Sequence, residues 1–220
     1  MKRKLTLELL KETAIKFCET ESSIKNKDLF GVTDGKAIGT YIEHKFHKYL
    51  QEQYEFERGS SAKGIDLPWN DIRTDIKVTS INQPQSSCPF ENATQKIFGL
   101  GYNILLFVYD KKDNHYERVT KLDFVNCSFL EKERTSDYTT TFRIREMLND
   151  GANRDDIISY LKDRNLPADE ITLEKIADLV IAQKPELGYL TISNALQWRL
   201  QYSRIINLKE NIKGISKLVK

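Results

Sequence analysis

The chain has 220 residues, enough for one large domain or a domain with an appendage, and it can bury a substantial core. Its 34 basic residues nearly cancel its 32 acidic ones. That balance excludes a global positive field as the means of attracting a polyanion, so nucleic-acid binding has to come from local patches.

The basic start Lys2-Arg3-Lys4 resembles a secretory leader only briefly, because Glu8, Lys11 and Glu12 interrupt any apolar region. Residues Leu5 to Glu21 instead read as an amphipathic helix with Leu5, Leu9, Thr13 or Ala14, and Phe17 on one side. Thr33 or Asp34 can cap a second helix over Lys36 to Gln53, where Ile38, Ile42, Phe46 and Tyr49 or Leu50 recur at helical spacing. Tyr54 to Gly59 alternates aromatic and charged residues, the pattern of a strand ahead of a turn at Ser60 to Lys63. Residues 64–79 then read as a hairpin turning near Trp69-Asn70-Asp71, with the Tyr54 strand as neighbour of its first arm. A short helix over Asn92 to Gly99 leads into the apolar run Asn103 to Tyr109, which is a buried strand. The apolar stretch from Ile97 to Tyr109 is broken by glycines and Asn103 and is too short to cross a bilayer. Lys111 to Asn114 reads as a turn, and His115 to Val119 as a returning edge strand.

From about Ser136 helical signals take over, with candidates at Phe142 to Leu148, Asp156 to Arg164, Ile171 to Gln183 and Ser193 to Leu208. Gly151, Asn165-Leu166-Pro167 and Lys184-Pro185 punctuate them. The chain therefore divides into a mixed α/β part, 1–135, and a helical part, 136–220. The three cysteines, Cys18, Cys88 and Cys127, lie far apart with no C-x-x-C pair, which points to a reduced, cytoplasmic setting for a soluble protein.

The chemistry concentrates in the hairpin. Successive side chains of a strand point to opposite faces, so Asp75, Lys77 and Thr79 share one face while Ile76 and Val78 take the other. On the preceding arm Ile65 and Leu67 are apolar neighbours and Asp66 points away from them, so the turn can bring Asp66 towards Asp75. Two carboxylates held close together repel unless a cation lies between them, and hard oxygen ligands suit Mg²⁺. Such an ion neutralises a phosphodiester and acidifies bound water, and an adjacent ammonium can orient that water and stabilise charge on the phosphate.

An acidic residue, a spacer, then Asp, any residue and Lys is the pattern here, as Asp66 followed by Asp75-Ile76-Lys77. In this the chain resembles the PD-(D/E)xK nuclease superfamily. Ile65 stands where a proline often precedes the first acid, and Pro68 follows it instead. The order of helix, acid-bearing hairpin, helix and central apolar strand also resembles the superfamily core. The resemblance implies a restriction-endonuclease-like α/β fold, a mixed sheet with the acids near its centre, flanked by helices and followed by a helical C-terminal portion. It implies Mg²⁺ bound by Asp66 and Asp75, with the Ile76 carbonyl adding a ligand, Lys77 activating water, and Glu43 on the first core helix supporting the metal. With no ATPase motif, the chain most resembles a stand-alone type II restriction endonuclease, cutting double-stranded DNA at a specific sequence as a homodimer.

Side chains that could contact DNA lie in three places. Ser80, Asn82, Gln83, Gln85 and Ser86 follow the acid-bearing strand directly, Gln95 and Lys96 lie on the next short helix, and Gln197, Arg199 and Arg204 lie on the last candidate helix. His44 and His47 beside Glu43 find no third ligand at zinc spacing. Gly31 to Ala37 falls short of a phosphate loop, so no nucleotide cofactor is expected. Two other functions fit the same residues: a repair or structure-specific nuclease, and a non-catalytic DNA-binding regulator using the C-terminal helices.

Overall fold

A computed structural model describes residues 2–56, 59, 64–88, 91–193 and 198–219. The elements run β1 (Arg3–Lys4), α1 (Leu7–Ser23), β2 (Lys25–Asn26), α2 (Gly35–Gln53), β3 (Tyr54–Glu55), β4 (Thr74–Ser80), β5 (Gln85–Cys88), α3 (Gln95–Phe98), β6 (Asn103–Asn114) and β7 (Val119–Leu130). They continue with α4 (Tyr138–Asn149), α5 (Arg154–Asp163), α6 (Glu170–Ala182), β8 (Thr191–Ile192), β9 (Trp198–Gln201), α7 (Ser203–Ile206) and β10 (Ile215–Val219). The chain forms two compact units, 1–86 with 102–130 and 209–220, and 87–101 with 131–208. The chain passes from the first unit to the second at residues 86–87 and again at 130–131. The final segment, however, returns to the first unit, because β10 pairs antiparallel with β7 from Ile215 opposite Leu130.

The first unit is a mixed α/β layer structure. Its main sheet has five strands in the order β10-β7-β6-β4, with β2 on the far end of β7. The β4 and β6 strands are parallel, with Asp75 opposite Ile104 and Lys77 opposite Leu106, whereas β6 and β7 are antiparallel. Asp34 caps α2 by accepting the Lys36 N–H, and Thr6 caps α1 by accepting the Leu9 N–H. Both helices lay their apolar stripes on one face of the sheet. Leu10, Ala14 and Phe17 of α1 and Ile38, Ile42, Phe46 and Leu50 of α2 are buried against Ile76, Leu105, Phe107, Leu122, Phe124 and Phe129. At the centre, Phe17, Phe46, Phe107 and Phe124 meet edge to face with centroids 4.9 to 6.0 Å apart.

Four expectations are corrected here. The acids do not lie near the centre of the sheet, because β4 ends the strand order. β7 is not an edge strand, since β6 and β10 flank it. The turn between them lies at residues 115–118, not at Lys111 to Asn114. Lys112 and Lys121 face each other across the two strands and share Asp123, and Lys112 also pairs with Asp110, so the charged run extends the ladder instead of breaking it. The Asn114 carboxamide oxygen accepts the Tyr116 and Glu117 N–H groups and closes the actual turn.

The second unit packs α4, α5 and α6 around Ile144, Ile157, Leu161, Leu173, Ile176, Ala177 and Val180. Asn153 and Asp156 form a reciprocal capping box at the start of α5. Asp137 is 2% exposed and ties this unit together, accepting from the Thr140 N–H and hydroxyl and from the Ile192 N–H. The fourth correction concerns the expected helix over Ser193 to Leu208. Trp198, Leu200 and Tyr202 are buried while Arg199 and Gln201 are exposed, a period of two, and the segment forms β9 and the short α7.

Candidate active site

The hairpin turns through Asn70 to Ile72, and Leu67 bridges antiparallel to Thr74 with N–H···O distances of 3.0 Å in both directions. The arm carrying Asp66 is irregular apart from that bridge, and the Gly59 N–H joins it by donating to the Asp66 carbonyl at 2.8 Å. One residue beyond the bridge on each arm stand Asp66 and Asp75, and their carboxyl groups are in hydrogen-bonding contact. Asp66 Oδ2 also accepts the Ile76 N–H at 2.9 Å. A residue's N–H and C=O point to the same side of a strand, so the Ile76 carbonyl faces the Asp66 edge as well.

Lys77 Nζ stands 2.6 Å from Asp75 Oδ2, an ion pair whose angles depart from those of a hydrogen bond. Asp75 Oδ2 is buried and otherwise has no hydrogen-bond partner among the described residues. Thr79, the third residue on that face, spends its hydroxyl on the Gln83 carbonyl and the Gln85 backbone, which holds the following loop to the strand.

Burial raises the Asp75 carboxyl to about 7; the Lys77 ammonium opposes the shift, and contact with Asp66 adds to it. Burial also works to raise Asp66, but His47, the bond with Asp75 and the Ile76 N–H outweigh it and hold that group at about 2. The pair therefore retains one proton, on the Asp75 side, well above the ordinary carboxylate range. Glu43, half-buried on α2, is raised to about 7 by burial and then by Asp66, while Lys77 and His47 draw it down. Each of the four predicted catalytic groups is thus coupled to at least two of the others.

Among the described residues no three His, Cys, Asp or Glu side chains form a ready-made metal cage. Two neighbouring carboxylates, one with a buried oxygen that accepts no hydrogen bond among the described residues, nonetheless fit a hard divalent cation, which binds through one or two carboxylates and keeps several of its waters. A cation there would displace the shared proton and relieve the repulsion that raises Asp75.

The side chains assigned to DNA are more scattered. Asn82 and Gln83 are exposed at the end of β4, and Ser80, Gln85 and Ser86 are half-buried beside them. Gln95 is 7% exposed and spends its amide on the Glu91 N–H, the Glu91 carboxylate and the Leu100 carbonyl. Lys96 is 2% exposed, and burial lowers its pKa. Both side chains therefore face the interior of the second unit. Arg199 is exposed on β9, and the Arg204 guanidinium stacks 3.6 Å from the Tyr138 ring. Gln197 lies outside the described residues.

Sequence reasoning passed over His47, which is 4% exposed with Nε2 3.5 Å from Asp66 Oδ1. The available signal was its position one helical turn after Glu43, which puts both on one face of α2.

No solved structure matches the chain. The type II restriction enzyme NspV of Nostoc sp. (strain ATCC 29411 / PCC 7524) is 52% identical over 211 residues, covering 96% of this chain and 95% of its own length. The family described as type II restriction enzyme NspV matches residues 4–217, both units included. The chain belongs to the NspV family of type II restriction enzymes.

Proposed function

We propose that this restriction endonuclease hydrolyses double-stranded DNA at a specific sequence, using Mg²⁺ held by Asp66, Asp75 and the Ile76 carbonyl. The observation that carries this reading is the Lys77 ammonium 2.6 Å from a buried Asp75 oxygen that accepts no hydrogen bond among the described residues, on a carboxyl touching Asp66. When bound, the ion supplies charge neutralisation at the phosphate and a more acidic water. Lys77 orients that water and stabilises charge developing on the phosphate. Glu43, raised to about 7 and coupled to Asp66 and Lys77, can accept a proton near neutrality and would support the metal.

Asn82 and Gln83, whose exposure on the loop pinned by Thr79 supports this role, would contact bases or the backbone, with Ser80, Gln85 and Ser86 shaping that loop. Arg199 offers a second contact to phosphate from the C-terminal region. Two copies of the chain would cut the two strands of a symmetric site. The burial of all three cysteines, Cys18, Cys88 and Cys127, away from solvent oxidants is consistent with work in a reducing cytoplasm.

Plasmid digestion with and without Mg²⁺ tests the reading. Discrete bands are expected with Mg²⁺ only, and sequencing their ends gives the site and the cut position. Asp75→Ala should abolish the bands while Lys111→Ala, whose side chain pairs with Asp113 on the β6–β7 hairpin, should leave them. Bands of full intensity from Asp75→Ala would end the assignment, and a smear would favour a nuclease without sequence preference.

A further inference from the structure

His47 holds none of the roles assigned above. It lies on α2 with its ring 4% exposed, and it turns Nε2 to 3.5 Å from Asp66 Oδ1. Asp66 is therefore flanked at both oxygens by groups from different elements, the Ile76 N–H of β4 at Oδ2 and the α2 imidazole at Oδ1. His47 Nδ1 has no hydrogen-bond partner among the described residues, so the approach of Nε2 to Asp66 is the ring's one polar contact there. Burying an imidazole with one nitrogen unsatisfied costs free energy that a leucine or methionine of similar bulk would avoid. Packing therefore does not account for a histidine at this position, and the contact with Asp66 does.

We propose that His47 is a positioning residue, which holds Asp66 Oδ1 through Nε2 so that the carboxylate is already oriented, beside Asp75, to receive a divalent cation. The proposal rests on the metal reading of the site given above. Groups that orient a ligating carboxylate from behind typically contribute about 10–100-fold in metal affinity.

Titration calorimetry with Ca²⁺ alone, on the full chain without DNA, reads this directly. The comparison needs wild type, Asp75→Ala, two apolar variants, His47→Leu and His47→Met, and His47→Gln, which retains an N–H at similar reach. Wild type should bind and Asp75→Ala should not. The apolar variants should bind about 10–100-fold more weakly with unchanged melting, and His47→Gln should recover most of the loss. Wild-type affinity in either folded apolar variant would overturn the proposal, as would a His47→Gln protein as weak as they are. Failure of wild type to bind, or full binding by Asp75→Ala, would count against the metal site itself, a result distinct from both.

Discussion

At Asp75 burial and the neighbouring Asp66 work against the negative charge, Lys77 works for it, and the first pair wins, since the carboxyl is raised to about 7. In metal-free protein at pH 8 the fold therefore carries an ionised group that it would hold more comfortably as the neutral acid. Asp75→Asn replaces that group with a neutral one of the same shape. It should abolish cleavage yet melt higher than wild type at pH 8 in the presence of a chelator. A gain on the order of 1 kcal/mol corresponds to about 2–4 °C for a chain of this size. At pH 5 the folded chain keeps the Asp75 proton that the unfolded chain has largely released, so the gap between the two proteins should be smaller than at pH 8 without closing. Paired thermal melts at the two pH values check this, and a variant that melts lower at pH 8 would show Lys77 to be the stronger influence. That Asp75 and Lys77 share one face was legible in the sequence because strand alternation is a property of the backbone that tertiary context seldom overrides, whereas Asp66 is brought in by the turn, on an irregular arm. Gln95 and Lys96 were misplaced because proximity in sequence to the acids says nothing of the direction a side chain faces on a one-turn helix.

Elements show the same division between what local pattern reveals and what packing decides. α1, α2, α4, α5 and α6 were readable because each has a cap and an apolar stripe spanning several turns. The segment around β9 misled because its aromatics, amides and arginines suit a helix by composition, while its alternation of buried and exposed residues emerges only against a partner, β8, at Thr191 and Ile192. Two glycines test the element scale with opposite signs. Gly39 lies inside α2, and an added Cβ would meet the Val78 carbonyl oxygen at 3.7 Å, ordinary contact. Gly39→Ala should stabilise by about 0.5–1 kcal/mol through helix propensity, leaving cleavage intact. Gly99 ends α3 with φ +92°, and a Cβ there would lie 2.3 Å from the Lys132 carbonyl oxygen. Gly99→Ala should therefore destabilise by more than about 2 kcal/mol, adding backbone strain to a clash that cannot relax cheaply. Urea unfolding of both variants measures the two shifts, and a Gly99→Ala protein as stable as wild type would contradict the close approach.

For the whole molecule, the site sets how stability depends on pH. Glu43 and Asp75 are both raised to about 7, so between the ordinary carboxylate range and neutrality the folded chain holds protons that the unfolded chain has released. Their contribution is fully present below about pH 4 and is lost as pH rises through about 7. Asp66, lowered to about 2, contributes in the opposite sense: its share is present above about pH 4 and disappears as pH falls towards 2. Without metal, stability should therefore decline from pH 5 to pH 8 despite a net charge of only +2, too small for general repulsion to matter. A divalent cation binds the ionised carboxylates and competes with the protons, so its stabilising effect should grow over the same interval. Melting curves with saturating Ca²⁺ or with chelator should show a small difference at pH 5 and a larger one at pH 8. In Asp75→Asn, which carries one of the two raised groups no longer, the pH dependence of that difference should shrink. An equal Ca²⁺ effect at both pH values in wild type would mean that the ion binds away from Glu43, Asp66 and Asp75, and the energetic link between proton release and the site would have to be abandoned.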